Sequence, residues 1–510
     1  MMNRKKFWVG LLCGVVGFSA ACFEEAVEEG LEGNNDNNVA PTSFTVSSSD
    51  DVVWLGVYDR PTGSNAPDGE VGSGYVAYTL SGVGSGGVKK RSAPIEDRAW
   101  TWNQERFLLS ERVLPSLRNE SLSCAAGCNE GEYCIRQECS ASHSLLFLEG
   151  EAERVEGRLQ TVFDSSLAGI DVVLVVDTAL SADEVASAEV AGQHFADELG
   201  KVASLINLQD AASVTDLNQD GRLVVVVTNQ TAGSLGLDTI GWFNPHDWSG
   251  EADSNGADIL WLRPGDAEAL SKQVGTLIHE YFHLAAFSKR ADAGLMEPEA
   301  LWLDEALAHT LEDLSGWGSS NIGAAEEGLL SFSEAGLSSG DDSLAQRGIG
   351  YTFIRYLVDR HARAAGASSA ADEEVVESVR WLYGQLMASS ERGWNHDLLT
   401  NLDDPVMDGW LRAVLGSSAG YLSVGEADTS QAIGFDAFGQ FPSADGFDVY
   451  LEGPQYEELA SQDGAYEGFV AESGWNILKL TDLEPGTYTP ELSIASGREG
   501  VLVVIPPGGL

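Results

Sequence analysis

The sequence predicts an α+β chain: a central unit of mixed sheet and helices, flanked by small all-β modules. Three observations predict it. Apolar runs bounded by polar turns, such as residues 171–177 and 222–228, read as buried strands. Residues 274–288 and 298–314 carry apolar side chains at helical spacing. Residues 51–90 and 419–510 instead break into short apolar runs separated by Gly, Ser and Pro turns. With 510 residues, 43% of them hydrophobic, the chain has material for roughly two to four domains with substantial cores.

Residues 1–21 have the build of an export signal: Arg4, Lys5 and Lys6, an apolar run from Phe7 to Phe18, then Ser19-Ala20-Ala21 before Cys22. Twelve apolar residues are too few to span a bilayer comfortably. Small residues before a cysteine resemble a bacterial lipoprotein box, which implies a lipid on Cys22 and anchoring in the cell envelope, at the outer membrane. Simple cleavage after Ala21, with secretion, is the alternative. Residues 22–50 are acidic and rich in Asn, Ser and Gly, as a flexible tether is. A small β-rich module is expected over 51–122, within which 96–122 are helical or irregular.

Cys124, Cys128, Cys134 and Cys139 form a compact, even set over 123–140. In an exported chain such a set predicts a knot of two disulfides of unassigned connectivity. A zinc knuckle is the rival, but no C-x-x-C is present.

The central unit is expected over 141–418. It opens with a strand at 171–177, then a helix from Ser181 to Ile206 that starts on a capping-box pattern, Ser181 with Glu184. Asp216, Asn218, Asp220 and Gly221 imitate the start of a Ca2+ loop. Position twelve would be Val227 rather than glutamate, so a polar turn feeding a strand is the better reading. Residues 258–262 read as a strand. Helices are expected from Gly348 to Ala365, Asp372 to Ser389 and Pro405 to Leu415. A β-sandwich-like accessory domain is expected over 419–510.

The net charge of −50 excludes some classes of partner. Such a surface repels nucleic acid and anionic lipid headgroups, so any membrane contact is expected through the lipid on Cys22. The acids are dispersed, as on a solvated surface. The oligomeric state is not encoded in any pattern here.

The chemistry is concentrated at His279-Glu280-Tyr281-Phe282-His283. At 3.6 residues per turn, both histidines project from one face of a helix that is otherwise apolar. Two imidazoles one turn apart can share a tetrahedral zinc, and the offset Glu280 can reach a water on it. Hydrogen-bonded core histidines are the plainer reading of such a pair. The next amphipathic helix supplies a third ligand. Glu305 lies 22 residues past His283, room for a loop and a helical turn. Asp304, Glu297, Glu299 and His309 compete with it.

H-E-x-x-H followed by Trp302-Leu303-Asp304-Glu305-Ala306-Leu307-Ala308 resembles the gluzincin metallopeptidases, and among them most the hyicolysin family. The likeness extends to residues 241–245, 254–261 and 350–357, and spans roughly 165–415. Asp304 stands where Asn is usual and Ala306 where Gly is usual; neither change removes a ligand. The resemblance implies a zincin fold, with an N-terminal mixed sheet and a helical C-terminal subdomain, and one Zn2+ per chain on His279, His283 and Glu305. It further implies Glu280 as general base toward protein or peptide substrates, and a second acidic residue at Glu312. By the same resemblance the strand at 258–262 lies at the sheet edge and pairs with substrate backbone. Tyr351 is the candidate to bind the developing oxyanion, with a structural tyrosine as the alternative. His309 is either a group behind the ligands or a plain surface histidine. A second class of function is a surface-tethered binding lipoprotein that keeps the fold and has lost activity; the intact Glu280 argues against it.

Overall fold

The computed structural model describes, in the first 130 residues, 44–47, 51–60, 75–81, 83, 87–90 and a few positions from 106 to 129. From 131 to 506 it describes most residues, with short gaps. The expected export signal, Cys22 and most of the tether lie outside the described residues.

In chain order the strands are β1 (Phe44–Val46), β2 (Val53–Arg60), β3 (Tyr75–Ser81), β4 (Gly87–Lys90), β5 (Tyr133–Ile135), β6 (Glu138–Ser140), β7 (Ser142–Leu146), β8 (Arg154–Asp164) and β9 (Asp171–Asp177). Helix α1 (Ala182–Leu205) follows, then β10 (Arg222–Val227), β11 (Gly241–Phe243) and β12 (Ile259–Leu262). The helical half comprises α2 (Leu270–Asp292), α3 (Leu301–Ser315), α4 (Asn321–Leu330), α5 (Leu344–Ala365), α6 (Glu373–Ala388) and α7 (Asp404–Val414). Strands β13 (Gln440–Pro442), β14 (Asp448–Tyr450), β15 (Glu457–Ala460), β16 (Asp463–Ala471), β17 (Trp475–Thr481), β18 (Gly486–Tyr488), β19 (Glu491–Ile494) and β20 (Glu499–Ile505) close the chain. The architecture is thus mixed α and β, with several sheets.

The central sheet runs β11-β12-β10-β9-β8-β7. Strands β9, β10 and β12 are parallel, β8 and β11 run antiparallel to them, and β7 pairs antiparallel with β8. Its parallel core is a run of Val, Leu and Ile because both faces are covered. Val172, Leu174 and Val176 pack toward the helices, whereas Val173 and Val175 join Trp242, Trp261 and Phe147 on the other face. Helix α1 starts as its capping box predicts: Ser181 and Glu184 exchange side-chain and main-chain bonds. Helix α3 stops at Gly316, whose φ of 94° suits a residue without Cβ.

Strands β2 to β4, from the module expected at 51–122, and β15 to β17, β19 and β20, from the one expected at 419–510, build one sandwich together, which corrects that division. One sheet runs β15-β17-β2-β20 and the other β19-β3-β16-β4, so both ends of the chain contribute to each. The physical reason is that β2 is apolar on both faces. Val53, Leu55 and Val57 fill the sandwich interior with Leu478, Leu480 and Val504. On the opposite pleat Tyr58, Trp475, Ile477 and Val503 pack into the core of the helical half. No local β-hairpin could cover both sides of that strand.

The four cysteines pair as Cys124–Cys134 and Cys128–Cys139. Asp216 and Asp220 do not reach outward as ligands. Asp216 accepts the main-chain N–H groups of Asp220 and Gly221, and Asp220 accepts those of Arg222 and Cys134. The loop therefore ties the disulfide hairpin to the start of β10. Among the described residues, no helix is long and apolar enough to cross a membrane.

Candidate metal centre

Helices α2 and α3 pack against each other and place the H-E-x-x-H motif opposite Glu305. The rings of His279 and His283 stand 4.6 Å apart, as one helical turn requires. Nε2 of His279 lies 3.4 Å from Oε2 of Glu305, and Nε2 of His283 lies 3.2 Å from its Oε1. The three side chains thus offer ligand atoms to one point. One ligand atom from each lies within 4.8 Å of the others, close enough for side-chain adjustment to bring all three onto one ion with zinc–ligand bonds of about 2.0–2.1 Å. Both ring nitrogens of His283 and Oε2 of Glu305 are buried without a hydrogen-bond partner, which is costly unless something else satisfies them.

Each histidine is oriented from behind. Nδ1 of His279 is 2.7 Å from Oε1 of Glu312, and Nδ1 of His283 is 2.9 Å from Oδ2 of Asp304. That arrangement leaves both Nε2 atoms facing Glu305, as carboxylate–histidine pairs do behind metal ions. His309, one turn past Glu305, sets its Nδ1 2.9 Å from Glu312 and 2.9 Å from Asn321, so it belongs to this support. The other competitors are engaged elsewhere. Glu297 pairs with Arg392, and Glu299 with His396 and Arg290.

The electrostatics follow from burial in a crowd of opposite charges. Burial alone would lower the pKa of His279, but Glu305 and Glu312 raise it to about 10. Burial would raise Glu305, yet His283 and Arg347 hold it well below the usual carboxylate range. Asp304 and Glu312 are likewise held low against their burial, by His283 and Arg106 and by His279 and His309 respectively. Metal binding replaces protons on such ligands.

Glu280 sits beside the ligands, and its Oε2 accepts the main-chain N–H of Phe243 at 2.8 Å. Strand β11, which carries Phe243, is the edge of the central sheet facing α2. This corrects the expectation that the strand at 258–262 is the edge. That strand, β12, has β10 on one side and β11 on the other, so its main chain is already paired. Residues 241–243 are too short a run to stand out as a strand in the sequence.

Tyr351 is placed differently from the expectation of an oxyanion-binding group. Its hydroxyl donates to Oδ2 of Asp313 at 2.8 Å, and the same oxygen is bonded by Arg355. With Asp359 on Arg355, this is a fully buried network that fastens α5 to α3. The residue is packed as a core tyrosine, the alternative reading.

Two arginines were not visible as site residues in the sequence. Arg106 bonds Asp304 at 2.9 Å through Nη1 and Glu305 at 2.6 Å through Nη2. Arg347 is held by Asp342 through two 2.9 Å bonds and has its Nε 3.7 Å from Oε2 of Glu305. No motif carries Arg106, since its partners are 198 and 199 residues away.

No family model matches this chain. No curated protein matches it. Among solved structures, it is similar to the crystal structure of an aminopeptidase N family protein from Idiomarina loihiensis. That likeness covers 89% of this chain and 94% of that one, at 11% identity and a TM-score of 0.29. The score is too low for the two chains to share a demonstrated fold.

Proposed function

We propose that this chain is an exported, zinc-dependent peptidase that hydrolyses peptide bonds, with Glu280 as general base. One observation carries the reading: the ligand atoms of His279, His283 and Glu305 converge on one point, with unpartnered Nε2 and Oε2 atoms there and Glu280 alongside. The resemblance of residues 279–283 and 302–308 to gluzincins, and to the hyicolysin family in particular, supports it. The paired cysteines favour an oxidising compartment, consistent with the signal-like first 21 residues and a lipid on Cys22.

His279, His283 and Glu305 would hold the metal. When bound, it supplies Lewis acidity, lowering a water's pKa from about 15.7 toward about 7 and polarising the scissile carbonyl. Glu280 contributes proton transfer: it takes a proton from the attacking water and returns it to the departing nitrogen. Because Oε2 is held by Phe243 N–H, Oε1 is the atom left for that proton. Strand β11 ends the central sheet beside Glu280, and a sheet edge is the kind of element to which an extended peptide backbone adds as a further strand. Glu312 keeps the His279 imidazole in the tautomer that presents Nε2, and Asp304 stands 2.9 Å from Nδ1 of His283.

The test is metal analysis paired with turnover of a peptide library, with and without chelator. Glu280→Gln should keep about one zinc per chain and lose about 10²–10⁴-fold in turnover. Zinc-loaded wild type that cleaves nothing in a diverse library would instead favour a tethered binding protein.

A further inference from the structure

The geometry points to Arg106 as a positioning residue of the metal centre, one that fixes Glu305 as a single-oxygen ligand and at the same time steadies the carboxylate behind His283. The inference rests on the zinc reading above. The guanidinium forks across two adjacent acids of α3: Nη1 takes Asp304 at 2.9 Å and Nη2 takes Oε1 of Glu305 at 2.6 Å. Asp304 is the residue against Nδ1 of His283. One cation therefore touches a ligand directly and a second ligand through its carboxylate partner. With Oε1 engaged, Oε2 is the buried oxygen without a hydrogen-bond partner, and it is the one 3.4 Å from Nε2 of His279. A planar guanidinium suits this task because its donors match two carboxylates in fixed directions.

A different role is conceivable from the same contacts: a latch whose cation keeps the metal out. The packing of the segment argues against it. Ser110 Oγ donates to the carbonyl of Arg106, and the N–H of Leu114 to that of Ser110, the spacing of helical turns. Val113 and Leu114 on those turns are buried in the principal core with α1 and the central sheet. Arg106 itself is only 4% exposed. A removable strap would not be anchored in this way, so Arg106 is part of the centre. Charge points the same way. Without Arg106, the buried carboxylates of Glu305, Glu280 and Glu312, with Asp304 beside them, would crowd one another with less to offset them.

The experiment titrates zinc against a chromophoric chelator for wild type, Arg106→Gln and Arg106→Lys, all full length, with thermal melts of the metal-free proteins as a folding control. The visible spectrum of the cobalt-loaded proteins adds a readout of ligand number. Arg106→Gln should weaken zinc binding about 10–100-fold and change the cobalt spectrum. Arg106→Lys keeps the charge but not the fork, and should fall between the two; if Arg106→Gln does not fold, this variant carries the test. Equal or tighter zinc binding in the folded variants overturns the role of Arg106, and tighter binding identifies a latch. Wild type that takes up no zinc overturns the zinc reading itself, an outcome distinct from either.

Discussion

The main-chain N–H of Phe243 donates to the carboxylate of Glu280 at 2.8 Å, which joins the rim of the central sheet to the metal-site helix. The two elements can approach this closely because Gly241 has no side chain. A Cβ there would collide with Thr276 and stand 3.0 Å from the carbonyl of Trp261 and 3.4 Å from Cγ of Glu280. Gly241→Val should therefore push β11 away from α2 and misplace the base. The expected result is a loss of about 100-fold in kcat/KM with zinc content retained, since a displacement near 1 Å can cost that much. Full turnover in this variant would show that the edge strand and Glu280 act independently.

How far the site could be read in the sequence depended on how local its parts are. His279 and His283 are one helical turn apart with Glu280 offset beside them, so their arrangement is legible at once. Glu305 was legible through the resemblance and through the helix that carries it. Arg106 was not, because nothing in the chain marks a residue 199 positions away as its partner. The edge strand was misassigned for a related reason: β12 is a run of four buried apolar residues, whereas β11 has three residues and pairs only through tertiary contact. The sequence suggests two modules where the fold builds one sandwich, because β2 and its neighbours β17 and β20 are separated by most of the chain. Period-two alternation reports which face of a strand is apolar, not which strand lies beside it.

Tyr351→Phe separates a core role from a catalytic one. The hydroxyl is bonded to Asp313 inside a buried network, where Arg355 also satisfies the carboxylate. Removing one donor to a buried charged acceptor costs about 1–3 kcal/mol. The variant should therefore unfold at lower denaturant, while kcat/KM stays within about threefold of wild type, the margin of a residue outside the chemistry. A large drop in kcat without loss of stability or zinc would return Tyr351 to the oxyanion.

Asp247 gives the fold a pH dependence with a definite sign. It is buried behind β12, where Trp261 Nε1 donates to Oδ2 at 2.8 Å and Asn255 Nδ2 to Oδ1 at 2.7 Å. Burial pushes its pKa from 3.8 up to about 7, although both hydrogen bonds and Arg136 pull the other way. The folded state thus keeps a proton that the unfolded chain releases near pH 4. Stability from this group is fully present below about pH 4 and is lost as pH rises through about 7, with a limiting slope of about 1.4 kcal/mol per pH unit. General repulsion among the acids also grows over this range, so the comparison must be with Asp247→Asn. That variant loses an acceptor at every pH, a constant cost, but has no proton to release. The difference in melting temperature between wild type and Asp247→Asn, followed from pH 4 to 8, should shift steadily against wild type up to about pH 7 and then level off. A difference that stays flat across the range would mean Asp247 is ionised throughout and that its two donors outweigh its burial.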